Sequence, residues 1–427
     1  MIDRSIPPKV ADFADLRLPS VKQRVLSNGG RLLVISDGTQ PVAQLTMNWV
    51  GGVAESPSVA VAKLVSAGLR EGATTVTADE LEEILDFNGA QLRSSANSHY
   101  SSVSLAATSN RLASVLPTVL DTVYNPIFPA ERIDRLRQRI IAARNVELER
   151  VEVLAAEEAL RHVAGVGHYL TRKLMAQDVL KLTTDEMIQW HNMVYNPATM
   201  TAYLSGDISE ELENKVAQLL ELTPATTPSI EDRIVRFKPE PTSTPVFIEK
   251  TGAQQCGVNI SIPTIDRQHP DYANLRLAIY ALGGYFGSRL MSNIREARGL
   301  TYGINSSLCG YREGGVVEIA ASTSPQSVDE LVSETIAEIK RMVDNPLTAD
   351  EMQRVRRGYF TRLAATLDTP FGISDFIMSS QLNDSPSNYF DMQLEAVRSA
   401  TPEKISSLID RYVEPSQAII TVAGVRE

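Results

Sequence analysis

Residues 124–144, YNPIFPAERIDRLRQRIIAAR, recur in altered form at residues 344–364, DNPLTADEMQRVRRGYFTRLA. Each stretch is an Asn-Pro turn, a helix start carrying acidic residues that suit the positive end of the helix dipole, and then a basic amphipathic helix. From Asn125 to Asn345 the offset is 220 residues. A second pair of landmarks checks that figure. Thr184-Asp185-Glu186 opens a segment ending in VYNPATMTAYLSGDI, and Thr401-Pro402-Glu403 opens one ending in YVEPSQAIITVAGV. Both read as a capped helix, a proline turn and a β-branched strand closed by Gly206 or Gly424. Pro197 and Pro415 are 218 residues apart. Unrelated landmarks agreeing this closely indicate a tandem duplication.

Between the copies lies Pro224–Pro245, the most Pro- and Thr-rich part of the chain, which reads as an extended linker that few contacts cross. The expected organisation is an N-terminal arm (1–20), a first domain (21–223), the linker (224–245) and a second domain (246–427). In the first domain VKQRVLSNGGRLLVISDG reads as a hairpin about an Asn-Gly-Gly turn, and VAQLTMNWVGG as a third strand ended by Gly51-Gly52. Helices are expected at Val59–Arg70 and Ala78–Asn88, a strand pair at Ala90–Thr108, and long helices from Asn110 through Trp190. Strands grouped around a helical run predict an α+β fold: two homologous domains, each an antiparallel-type sheet layered with helices.

The 427 residues include 52 acidic and 41 basic ones, a net charge of −11, with 43% hydrophobic and 22% charged. That composition is globular, and its acidic excess argues against nucleic-acid or anionic-membrane partners while weakly favouring cationic ones. No run reaches the roughly 18 to 20 apolar residues of a membrane span. MIDRSIPPKV has no apolar signal-peptide core, so a cytoplasmic location is expected if Met1 is the native start, and a periplasmic one if a leader has been removed. Cys256 and Cys309 are expected as free thiols.

Leu282–Pro325, LGGYFGSRLMSNIREARGLTYGINSSLCGYREGGVVEIAASTSP, is the most distinctive stretch. Its Gly-Gly turn, Ser288-Arg289-Leu290, and Arg295 followed seven residues later by Tyr302 resemble the C-terminal-domain signature of the insulinase and pitrilysin-type metallopeptidases, in the branch of the mitochondrial processing peptidase. LSNGGRLLVI, WVGG, ADELEEILDFNGAQL and YNPATMTAYLSGD extend the resemblance over nearly the whole chain past residue 20. It implies two similar domains closing as a clamshell around a substrate chamber. It also implies an H-x-x-E-H zinc motif on a helix after the first Gly-Gly, with a further Glu ligand about eighty residues on. Such spacing sets two His on one helix face, with the Glu placed to deprotonate metal-bound water.

Against that motif the chain has Lys63, Ser66 and Ala67 in VAKLVSAGLREGATT. An ammonium, a hydroxyl and a methyl cannot hold zinc, and Arg135–Val146, where the third ligand is expected, contains no Asp or Glu. Among the five histidines, Glu158 and His162 with His168 nearby read as a salt-bridge pair and a loop histidine, not a relocated metal site. LGGYFGS lacks the Lys-Ser/Thr of a phosphate cradle.

The resemblance assigns Arg295 and Tyr302 to hydrogen-bonding the substrate backbone or the oxyanion on the scissile carbonyl. A purely structural role would instead pair Arg295 with Glu296 or Glu313 and pack Tyr302. The expected function is a non-catalytic subunit that needs no metal of its own: it completes the peptide chamber of a zinc-bearing paralogue and donates Arg295 and Tyr302. The alternative is a non-enzymatic homodimer that binds extended peptides or acts as a scaffold. In both, Gln91, Leu92, Arg93, Ser94 and Ser95 form the edge to which a peptide strand adds.

Overall fold

The computed structural model describes residues 15–226, 230–242 and 244–426. Its first sheet contains β1 (Lys22–Val25), β2 (Arg31–Ser36), β3 (Val42–Val50), β4 (Gln91–Ala96), β5 (Tyr100–Thr108) and β6 (Thr201–Gly206), in the spatial order β1-β2-β6-β3-β5-β4. The second contains β7 (Val246–Glu249), β8 (Cys256–Thr264), β9 (Thr301–Gly310), β10 (Gly315–Thr323) and β11 (Ile419–Gly424), in the order β7-β11-β8-β10-β9. Without β1 the two orders are the same, so the repeat found in the sequence is a repeat of topology. The neighbours are antiparallel except β2 with β6 and β7 with β11, which run parallel. Each sheet is therefore mixed, not purely antiparallel. The closing strand returns after the whole helical run and inserts beside the opening strand in the same direction.

Gly206 and Gly424 end these closing strands at positive φ, +124° and +154°. At Gly206 a Cβ would fall 2.2 Å from the Val42 carbonyl oxygen, so the residue must lack one. Trp49 is fully buried near the end of β3 against Tyr124 and Tyr195, which anchors the sheet to helices Ser109–Tyr124 and Thr184–Val194. Strand β5 alternates half-buried and buried residues as a sheet covered on one face should, whereas every residue of β6 is buried.

The second cover on β6 comes from the other half. Helix Pro370–Leu382 lies on β2 and β6, with Ile373 and Ile377 packed against Leu33, Ile35 and Tyr203, and the Tyr203 hydroxyl donating to Gln381 at 2.6 Å. Helix Val151–Ala164 makes the reciprocal move and packs on β8 and β11. There the Thr421 hydroxyl donates to the Ala155 carbonyl at 2.7 Å. These helices occupy corresponding places in the repeats, so each half lends one helix to the sheet of the other.

The segment joining the halves is extended but is no contact-free tether. Lys238 and Glu240 donate their amides to Ala164 and His162 of the first half, and Phe237 and Thr242 donate to Glu313 and Ala418 of the second. Thr227–Ser229 and Ser243, within the predicted linker, lie outside the described residues, as does most of the predicted N-terminal arm. Cys256 and Cys309 are both free thiols. Among the described residues no helix is long and apolar enough to cross a membrane.

The exchanged helix Val151–Ala164 sits so close to β8 that a Cβ on Gly257 would lie 2.6 Å from the Val151 carbonyl carbon. Gly257→Val should cost about 1–3 kcal/mol by forcing helix and sheet apart. Chemical denaturation checks this, and an unchanged midpoint would contradict so close an approach.

Candidate functional site

Ser58 caps helix Val59–Gly68 by accepting from the Val61 amide, and the helix carries Lys63, Ser66 and Ala67 at i, i+3 and i+4. All three line a cavity of about 480 Å³. Its far wall is one face of helix Ala130–Glu147, with Ile140, Ala143, Arg144 and Glu147 at helical spacing. Arg135–Val146 thus presents no carboxylate to the cavity, but Glu147, one residue beyond, does.

Glu147 is not free to serve a metal. Arg144 lies between it and Glu157, with Nη1 3.2 Å from Glu147 and Nη2 2.6 Å from Glu157. Lys63 Nζ donates to the Ala96 carbonyl at 2.9 Å. Desolvation at the cavity wall holds the Lys63 ammonium below the usual lysine range, and the charge of Glu147 opposes that shift. With two cations in its midst and no imidazole, this donor set does not fit a zinc ion.

Lys63, Arg144, Arg161, Arg172 and Lys173 outnumber Glu147 and Glu157 around the cavity. The cavity is thus locally basic although the whole chain carries a net charge of −11, because the acidic excess lies elsewhere. Two further cavities, about 350 and 960 Å³, adjoin the first through Lys63, Ala96 and Arg172 and through Ala67 and Ser94. The larger adds Arg70, Arg93, Arg132, Arg135 and Arg139 against Glu71, Asp79 and Glu82. Together they make a basic groove along β4.

Strand β4 contains the predicted Gln91–Ser95 and is the open edge of its sheet. Arg70 donates to the Leu92 carbonyl at 2.8 Å and Lys63 to that of Ala96, so these carbonyls face outward. By the two-residue period of a strand, the amide and carbonyl of Ser94 face the same way, between the two capped positions.

Arg295 and Tyr302 lie apart from this groove, whose described lining comes entirely from the first half. Arg295 sits on the π-helical turn Met291–Ala297 and Tyr302 on β9, the open edge of the second sheet. Arg295 Nε donates to the Tyr302 carbonyl at 2.9 Å, and its guanidinium lies 4.7 Å from the Phe286 ring and 5.7 Å from the Tyr302 ring. Arg295 Nη1 also stands 3.9 Å from Glu296, the neighbour a purely structural role would use, whereas Glu313 is engaged elsewhere and Tyr302 is 91% exposed and not packed.

Spacing gave no hint of a buried cluster around His99. Its Nδ1 is 2.8 Å from Glu55 and its Nε2 2.6 Å from Glu313, while Tyr169 donates to Glu313 at 3.0 Å. Burial alone would lower the His99 pKa, but hydrogen bonds to Glu313 and Glu55 reverse this and raise it to about 9. Glu55, His99 and Asp232 together resemble a metal cluster, yet Arg312 already takes both oxygens of Asp232 at 2.7 Å. His162 and Glu158 stand 3.5 Å apart with Arg161 on the same carboxylate, and His168 faces the Val235 carbonyl.

Residues 181–359 match the family model of the peptidase M16 inactive domain. The uncharacterized zinc protease YmxG of Bacillus subtilis is 19% identical over 82% of this chain and 85% of its own length. The probable inactive metalloprotease YmfF of the same organism is 20% identical over 47% of this chain and 46% of its own. Among solved structures, the peptidase M16 inactive domain from Pseudomonas fluorescens aligns with a TM-score of 0.83 at 22% identity, covering 96% of this chain and all of that one. A protease from Helicobacter pylori aligns with a TM-score of 0.86 at 14% identity, over 95% of this chain and all of its own. The periplasmic protease PqqL from Escherichia coli aligns over 98% of this chain and 48% of its own, with a TM-score of 0.78 at 15% identity. The fold is thus the two-sheet clamshell of M16-like peptidases. The family match itself extends over residues 181–359, and the similarity of YmxG extends over most of the chain.

The His99 cluster gives stability a definite pH dependence. A folded-state pKa of about 9 lies above the unfolded value of roughly 6.5, so the contribution is complete below about pH 6.5 and is lost as pH rises through 9. His99→Gln should cost about 3–5 kcal/mol at pH 6 and much less at pH 10 in urea melts against wild type. A penalty independent of pH would contradict a charged His99.

Proposed function

We propose that this chain is a non-catalytic M16-fold subunit, of the processing-peptidase type, that pairs with a zinc-bearing paralogue. It offers peptide a basic groove along β4 and donates Arg295 and Tyr302 to the partner's chemistry. Zinc belongs to the partner, since Lys63, Ser66 and Ala67 stand in for the motif His, Glu and His, with Arg144 beside them. The observation that carries the reading is the setting of Arg295 and Tyr302. They touch each other outside the chain's own groove, Arg295 from the turn Met291–Ala297 and Tyr302 from the open edge strand β9, and Tyr302 is almost wholly exposed.

In that setting a guanidinium and a phenol can donate to an oxyanion formed in another subunit. The groove supplies the peptide's backbone partner at Ser94, and its surplus of Lys and Arg favours a segment carrying Asp or Glu. The location, cytoplasmic or periplasmic, follows that of the partner.

Co-purification with a zinc-bearing paralogue tests the donation. Arg295→Ala should lower peptide turnover by about 10² to 10³ without dissolving the pair, and Tyr302→Phe should lower it as well. Turnover equal to wild type would remove the donation, and a homodimer that ignores the paralogue would favour the scaffold alternative. For the groove, fluorescence anisotropy of this chain alone should show an acidic peptide binding more tightly than its basic counterpart, with the difference shrinking as salt rises. The reverse order would contradict the electrostatic reading.

A further inference from the structure

The second half holds a separate cavity of about 220 Å³ that shares no lining residue with the groove. It is enclosed by helices Tyr272–Gly283, Ala349–Thr366, Pro370–Leu382 and Tyr389–Arg398. Three of its lining residues are arginines, Arg267, Arg276 and Arg362, and none is acidic. Elsewhere the chain neutralises such side chains: Arg289 meets Glu351, Arg298 meets Glu330 and Glu334, and Arg312 meets Asp232 and Asp384. Arg267 is partly engaged, its Nε donating to the Gly310 carbonyl at 2.8 Å, but the three positive charges around one small cavity still repel each other unless an anion joins them.

The polar groups there are poised to donate. Arg276 is surrounded by the phenols of Tyr272, Tyr359 and Tyr389 in place of carboxylates. Tyr389 is only 3% exposed, and its hydroxyl lies beside the Arg276 guanidinium with no acceptor for its own proton among the described residues. Tyr359 donates to Gln393 Oε1 at 2.9 Å, which directs the Gln393 amide nitrogen to other partners. Ser379 and Ser380 add hydroxyls, and Arg362 stands exposed on the lining.

We infer that this cavity binds a small phosphoryl-type oxyanion, either free phosphate or a compact phosphate monoester, held by Arg276 and Arg362 with the Tyr389 hydroxyl as a further donor. A tetrahedral dianion matches two guanidinium forks and several hydroxyls better than a carboxylate, which has two oxygens and one charge. The inference is independent of the peptide groove.

The test is calorimetric titration and thermal melting of the full chain with inorganic phosphate, against sodium chloride at matched ionic strength. Phosphate should bind saturably and raise the melting temperature, and Arg276→Gln or Arg362→Gln should weaken binding about ten- to a hundredfold. Arg111→Gln, on the exposed surface, should leave it unchanged. If Arg276→Gln fails to fold, Arg362→Gln carries the test. A phosphate response no larger than that of chloride, or undiminished in Arg362→Gln, would overturn the site. Succinate binding without phosphate binding would overturn the phosphoryl assignment.

Discussion

The architecture depends on a reciprocal exchange. Helix Val151–Ala164 leaves the first half to cover β8 and β11, and helix Pro370–Leu382 leaves the second to cover β2 and β6. Each sheet therefore has two apolar faces and is incomplete without the other half, which is why β6 is buried along its whole length. The groove depends on the same helix, because Glu157 and Arg161 form its wall from the side of Val151–Ala164 turned away from β8. Near one end of the interface the His99 cluster ties Glu55 to Glu313, joining loops of both sheets.

That frame gives the groove a charge opposite to that of the whole chain. Its cations do two jobs. Lys63 and Arg70 close two of the edge carbonyls of β4, which limits uncontrolled strand pairing, and the remainder create a positive field around the one outward position left between them. Arg144, held by Glu147 and Glu157, sets a fixed positive charge across the cavity from Lys63, Ser66 and Ala67.

Much of this was legible in the sequence because it is written in local periods. The offsets of 220 and 218 gave the duplication, the hairpin about Asn28-Gly29-Gly30 gave β1 and β2, and the strand pair expected at Ala90–Thr108 gave β4 and β5. The i, i+3, i+4 spacing placed Lys63, Ser66 and Ala67 on one face of one helix. The rest was hidden because it joins distant residues. His99 meets partners 44 and 214 positions away, and Arg276 and Arg362 converge from different helices. The parallel strand pairs and the exchanged helices are decided by how the halves pack, which no local pattern records. Net charge is silent about the groove for the same reason: it sums over a surface and says nothing of where the charges gather.

The proposed absence of a metal of its own rests on the face of helix Val59–Gly68 that lines the groove, where Lys63 stands with Arg144 opposite and no imidazole. Metal content of the purified chain, measured by plasma mass spectrometry after incubation with zinc and exhaustive dialysis, tests it most directly. Far less than one zinc per chain is expected, with Lys63→His together with Ala67→His needed before retention rises. One zinc per wild-type chain that survives dialysis would contradict it.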